Sequence, residues 1–128
     1  MKRDWDVVRS ILTKIEDEVS FQKKRLELSD FHKETFDEQY VISEHMRLLI
    51  EDAGVVRGVM NPRLGQKVVD FIATGLTFSG HEFLDSIRND TVWNKTKETF
   101  ETKGLDMTFE TIKAVAAAAM TSMLGLSA

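Results

Sequence analysis

Trp5, Val8, Leu12, Ile15 and Val19 recur at spacings of three and four, with Lys, Arg, Asp and Glu filling the positions between them. That period predicts an amphipathic helix with one buried stripe. Through "SFQKKRLELSDFH" the period is lost, and Leu26-Glu27-Leu28 alternates beside the cluster Lys23-Lys24-Arg25. A loop and a brief edge strand are expected there, with a short helix over residues 30–36. From Asp37 to about Ala53 the helical period returns on Ile42, Met46, Leu49, Ile50 and Ala53, and Gly54 stands where a left-handed C-terminal residue belongs.

Beyond Gly54 the pattern changes to β-branched runs, "VVRGVM" and "QKVVDFIAT", separated by the turn residues of "NPRLG". A two-stranded hairpin follows from this. Ser79-Gly80-His81-Glu82 then has the Ser-x-x-Glu form of a capping box, which predicts a helix start with Phe83, Leu84 and Ile87 turned inward. Asn89 and Asp90 break that helix, and Asp90 is expected to cap the next, which carries Val92, Trp93 and Phe100 inward before Gly104 ends it. Thr108 opens a final helix with Phe109, Ile112, Ala116, Ala119 and Met123 at helical spacing. No internal repeat or low-complexity linker interrupts the chain.

Helix, short strand, helix, hairpin, helix is the order of a winged helix-turn-helix module. The expected fold is therefore mainly α (α+β), winged-helix-like, with a two- to three-stranded wing and a C-terminal helical extension. Residues 1–104 form the winged-helix-like part with the helices after the wing. Residues 105–128 form a C-terminal helix that either belongs to the same compact unit or acts as a dimerisation element. A projecting apolar face carrying Met120, Met123 and Leu124 needs a partner, which favours a homodimer.

The segments "MKRDWDVVRSILTKIE", "EHMRLLIEDAGVV", "LTFSGHEFLDSIRNDTVWNKTKE" and "FETIKAVA" together resemble the bacterial and phage-associated family called domain of unknown function 2513. The resemblance covers nearly the whole chain and is strongest from Leu76 to Lys97. It implies a winged-helix-like module with a helical tail, of the kind encoded in prophages and mobile elements. No agreed activity belongs to the family, so the resemblance assigns no catalytic or binding residue.

Composition narrows the chemistry. A chain of 128 residues can close one core without crosslinks, and it contains no cysteine, which removes disulfides, Cys-based zinc sites and thiol nucleophiles. Met1-Lys2-Arg3-Asp4 runs directly into the first amphipathic segment, and the tail from Ile112 is short and weakly apolar for a membrane span. A cytoplasmic protein with no membrane partner is expected.

Net charge is −4, so any basic footprint is local. Candidate phosphate contacts for double-stranded DNA are Lys23, Lys24, Arg25, Arg47, Arg57, Arg63 and Lys67. The helix that would enter a major groove carries Asp37, Glu38, Glu44, Glu51 and Asp52 against the single Arg47. Those acids oppose DNA and offer the alternative of a protein-binding face toward a host or phage protein.

A metal reading of His81-Glu82-x-x-Asp85 lacks the second His of His-Glu-x-x-His, and neither His32 nor His45 has ligand spacing to it. No metal or cofactor is assigned. With no phosphate-binding Gly-rich loop and no nucleophile elbow, the chain is read as a non-enzymatic binding protein.

Overall fold

The computed structural model describes residues 1–125. It is mainly helical, with five α-helices and one two-stranded antiparallel sheet among the described residues. Two compact units divide it, Met1–His81 and Glu82–Ala128.

In the first unit, α1 (Trp5–Glu18) opens where the Asp4 carboxylate accepts from the backbone N–H groups of Asp6 and Val7. Those are two of the amide donors that a helix start leaves unpaired. The predicted stripe is buried at Val8, Leu12 and Ile15, joined by Ile11. The strand expected at residues 26–28 shrinks to one bridge, in which Leu26 and Ala73 exchange two backbone hydrogen bonds of 2.9 Å. A 3-10 turn (Leu28–Phe31) replaces its continuation. The Asp30 carboxylate accepts the Glu27 N–H at 2.7 Å, so a side chain competes successfully for a donor that a ladder would have used.

Helix α2 (Phe36–Arg47) starts under a Thr35–Glu38 capping box, with the Glu38 N–H donating to Thr35 Oγ1 at 3.1 Å. Its last turn widens into a π segment, Leu48–Asp52, closed by the Ala53 N–H on the Leu48 carbonyl. Gly54 follows with φ +63°, as the sequence pattern requires. Ile42, Met46 and Leu49 are buried, and so are Ser43 and His45.

Both buried polar residues are paired. His45 Nδ1 lies 2.7 Å from the Val41 carbonyl, which can only accept, and Nε2 accepts the Asp4 N–H at 2.8 Å. The ring is thus held as the Nδ1–H tautomer and ties α2 to the start of α1.

Strands β1 (Val56–Asn61) and β2 (Asp70–Leu76) form the predicted hairpin, with Met60 opposite Phe71. Arg57 faces Gly75 while Gly58 faces Ala73, so Thr74 is the extra residue of a bulge. Val56, Phe71, Ala73 and Leu76 supply the buried face, and Arg57, Val59 and Thr74 are exposed.

The hairpin is closed at its base by Thr77, whose N–H donates to the Val55 carbonyl at 3.1 Å and whose hydroxyl donates to the Gly54 carbonyl at 2.7 Å. Helix α3 (Phe78–Ile87) starts there. Thr77 Oγ1 also accepts the Gly80 N–H at 3.2 Å, so Thr77 caps this helix and the expected Ser79–Glu82 box does not form. Ser79 lies inside the first turn with its hydroxyl 3.1 Å from that of Thr77. Hairpin closure has already placed Thr77 over the helix start, and the cap moves back by two residues as a consequence.

In the second unit, Phe83, Leu84 and Ile87 are buried. Asn89 caps α4 (Asp90–Lys103) by accepting the Val92 N–H at 3.0 Å, and Asp90, the residue expected in that role, is the first helical residue instead. An acid in the first turn still favours the helix through its dipole. Trp93 is 2% exposed and belongs to the packing, not to a surface.

After Gly104 (φ +63°), helix α5 (Phe109–Met123) begins under Thr108, with Phe109 meeting Phe83 edge-on at 4.5 Å. Its Ile112 and Ala116 are buried, while Met120, Met123 and Leu124 are exposed. One stripe of the last helix is core and another is open. The end of the tail, residues 126–128, lies outside the described residues.

The cap and the close approach at α3 can be separated by mutation. Thr77→Ala should cost about 1 kcal/mol and Ser79→Ala a few tenths. A methyl group on Gly80 would overlap the Val55 carbonyl, so Gly80→Ala should cost roughly 1–3 kcal/mol despite its higher helix propensity. Urea denaturation of the three variants checks the order, and equal costs at Thr77 and Ser79 would contradict the cap assignment.

Candidate nucleic-acid interface

Residues 62–69 connect the strands of the hairpin and hold its only compact turn among the described residues, Arg63 to Gln66. The Gln66 N–H donates to the Arg63 carbonyl at 3.4 Å, and the Gln66 side-chain oxygen accepts the Arg63 N–H at 2.9 Å. Gly65 takes φ +81°, the value a glycine supplies at the third position of a type II turn. Leu64 is the corner before it and is fully exposed.

The loop is anchored where it rejoins the fold. Ser43 Oγ donates to the Val69 carbonyl at 2.7 Å, and Asp70 Oδ1 accepts the N–H groups of Leu28 at 3.0 Å and Phe71 at 2.7 Å. Asp70 is the nearest acid after the turn, and its carboxylate is occupied by backbone donors. Between residues 62 and 69 there is no acid at all, only the cations Arg63 and Lys67. Lys67 Nζ rests 5.6 Å from the ring centre of Phe36, which steadies it beside the turn.

The other sequence-derived cations are not gathered here. Arg57 lies near the base of β1 opposite Gly75, and the chain preceding Leu26 runs toward that same end of the sheet. Arg57 and Arg63 are six residues apart, four of those steps along β1 and two in the loop, which sets an upper limit of about 20 Å at 3.4 Å per residue. At the base, Arg25 lies 3.8 Å from Glu27, and Lys24 lies over the exposed ring of Phe21 at 5.7 Å.

Besides Arg25, two more cations are engaged by acids. Lys23 pairs with Asp30 at 2.7 Å, and Arg47 pairs with Glu44 at 3.2 Å and Asp52 at 3.8 Å. The hydrogen bond from Lys23, with a second from the Glu27 backbone, holds the Asp30 carboxyl below its ordinary pKa, and the same bond raises that of Lys23. The bond to Glu44 raises Arg47 likewise. Arg57 and Arg63 have no carboxylate within ion-pair distance among the described residues.

The acids of α2 separate in the same way. Glu44 and Asp52 hold Arg47, and Glu38 closes the capping box. Asp37, Glu38, Glu51 and Asp52 are exposed, so the helix presents a net acidic surface. Phe36 and Tyr40 are exposed on it as well.

His81 Nδ1 lies 3.3 Å from Glu16, and Asp85 pairs with Arg88 at 2.6 Å. Among the described residues no group of three or more His, Asp or Glu side chains is arranged to hold a metal ion.

The family described as "Hypothetical protein (DUF2513)" matches residues 2–106. The chain belongs to that family. It is also similar to a Haemophilus influenzae (strain Rd) protein described as "Uncharacterized protein", 40% identical over 126 residues that cover 97% of this chain and 99% of the relative. No solved structure matches it. The family match spans α1 through Gly104 and stops before α5. The hairpin turn thus lies inside the family region.

Two surface features escape a reading of the sequence. One is Leu64, whose only signal is an apolar residue at a turn corner between Arg and Gly. The other is a groove of 440 Å³ beside α4 and α5, lined by Thr99, Val115, Ala118, Ala119 and Met123 among others. No helix among the described residues is long and apolar enough to cross a membrane.

The Lys23–Asp30 pair gives a pH test. Because the folded-state pKa of Asp30 is lowered, its contribution is present above the unfolded value of about 4 and is lost as pH falls through the folded value. Asp30→Asn should therefore be less stable than the parent at pH 7, with the gap closing in acid. Denaturant midpoints for both proteins across that range check this, and a gap that widens in acid would contradict the assignment.

Proposed function

We propose that the protein is a non-enzymatic, phage- or prophage-associated accessory factor of the cytoplasm that binds duplex DNA through its hairpin, as a regulator of winged-helix type. The observation that carries this reading is the braced, acid-free turn holding Arg63 and Lys67. The topology supports it. Leu26 pairs with β2 on one side and β1 pairs with β2 on the other, so β2 is central to three extended segments, and α2 directly precedes the hairpin. A helix leading into a hairpin with a third extended segment beside it is the part of the winged helix-turn-helix order that supports this reading.

The departures from such a module are a 3-10 turn, Leu28–Phe31, in place of a full helix before α2, and the electrostatics. The helix that would supply base contacts exposes acids and has its one arginine engaged, so contact is led by the wing and made chiefly to phosphates. Such binding is steeply salt-dependent. Affinity for a duplex should fall with rising salt, and Arg63→Glu with Lys67→Glu should weaken it at least about tenfold and lower the salt slope by roughly 2. Absence of binding by the parent protein at low salt would remove DNA from consideration.

A second reading is favoured by Asp37, Glu38, Glu51 and Asp52 lying exposed on the same helix as Phe36 and Tyr40. An acidic surface with exposed aromatics suits a basic host or phage protein, as in a module that modulates a host or defence complex. The Arg63/Lys67 double variant would leave such binding intact.

The open stripe of α5 supports a homodimer through the C-terminal helix. Met123→Glu should then shift the full chain from dimer to monomer in sedimentation equilibrium, and an unchanged mass would reject the dimer contact.

A further inference from the structure

The end of the hairpin carries an apolar side chain that folding leaves unused. Leu64 is 105% exposed at the corner of a turn held by reciprocal hydrogen bonds between Arg63 and Gln66. That corner places no demand for an apolar group on the sequence, because the turn requires only the glycine that follows. A polar residue there would serve the fold equally well. The leucine is instead presented on a braced projection, with a cation immediately before it, another three residues after it, and no acid from Pro62 to Val69.

Charge complementarity selects the occupant. Arg63 directly before the apolar tip, with Lys67 three residues after it and resting over Phe36, matches a polyanion with an apolar interior, which describes two phosphate rows over a base stack. The single apolar tip points to the groove. A hairpin fits the wider major groove as a ribbon, but an apolar side chain that opens a base step is a minor-groove device, and the exposed acids of α2 disfavour that helix as the groove reader.

We propose that the Arg63–Gly65 turn enters the minor groove of duplex DNA, with Leu64 wedged between adjacent base pairs and Arg63 and Lys67 on the flanking phosphates, so that binding bends the duplex. This inference rests on the DNA-binding reading above and adds to it the groove, the wedge and the bend. Apolar wedges of this kind open a base step and kink DNA by about 20–90° toward the major groove. Pyrimidine–purine steps yield most easily, so the preferred sites contain them.

The test uses the full chain and a short duplex with a central TA step, carrying donor and acceptor dyes at its ends, at low salt. The parent protein should bind and shorten the end-to-end distance. Leu64→Ala should bind with an affinity reduced by no more than about tenfold yet leave the duplex straight, and a minor-groove-binding dye should compete with the parent protein. Leu64 touches no part of the core, and an unchanged melting curve for Leu64→Ala confirms that the fold is kept.

Binding without bending by the parent protein, or equal bending by Leu64→Ala, would overturn the wedge while leaving DNA binding in place. No binding of the parent protein to the duplex would overturn both. Leu64-dependent binding to phosphatidylserine vesicles with no change in the duplex would overturn the groove assignment in favour of a lipid surface.

Discussion

The backbone of Val55 is gripped from several sides, and the course of the first unit depends on it. Its N–H donates to the Leu49 carbonyl at the end of α2, and its carbonyl accepts the N–H of Thr77 after β2. Gly80 of α3 lies so close to that carbonyl that no side chain fits. The hydroxyl of Thr77 reaches the neighbouring Gly54 carbonyl as well. Four events, the end of α2, the start of β1, the end of β2 and the start of α3, are therefore one knot of backbone bonds. With both ends of the hairpin fixed there, its direction is fixed too. Ser43 and Asp70 then tie the far side where the loop rejoins β2, and the turn at Arg63–Gln66 is displayed on an arm hydrogen-bonded at both its base and its return. Each such bond reduces the ordering that binding would have to supply, which is what a small contact surface requires.

Charge decides which part of that arm can meet a polyanion. Exposed ion pairs contribute little to stability, but they alter what a surface presents. Arg47 is surrounded by Glu44 and Asp52, and Lys23 is bound to Asp30, so neither offers an unopposed charge. The turn, by contrast, has no acid between Pro62 and Val69, and Arg63 has no carboxylate within ion-pair distance among the described residues. A protein of net charge −4 thus keeps a short acid-free stretch with two cations at its hairpin turn.

The helices were legible in the sequence because the apolar period of α1, α2 and α5 is local information. Gly54 and Gly104 were legible for the same reason, since a glycine after a periodic run marks a left-handed terminus. The α3 cap was not, because Ser79-x-x-Glu82 and Thr77-x-x-Gly80 are both acceptable starts, and the choice was made by the Gly54 carbonyl 23 positions away from Thr77. The strand at Leu26 shortened for a similar reason, when Asp30 claimed the Glu27 amide. At the candidate interface the cations could be named from the sequence, but their engagement by acids is tertiary. Leu64 fell inside the expected turn "NPRLG", where the sequence does not show how far an apolar side chain stands out, since exposure is not a local property.

A titration of isotopically labelled protein with duplex DNA at low salt, followed by amide chemical shifts, tests the hairpin-led contact most directly. If the turn leads, the largest shifts fall on residues 62–69, with Arg57 and its neighbours second and the exposed face of α2 little changed. Shifts centred on residues 37–52 or on α5, with the turn silent, would contradict it.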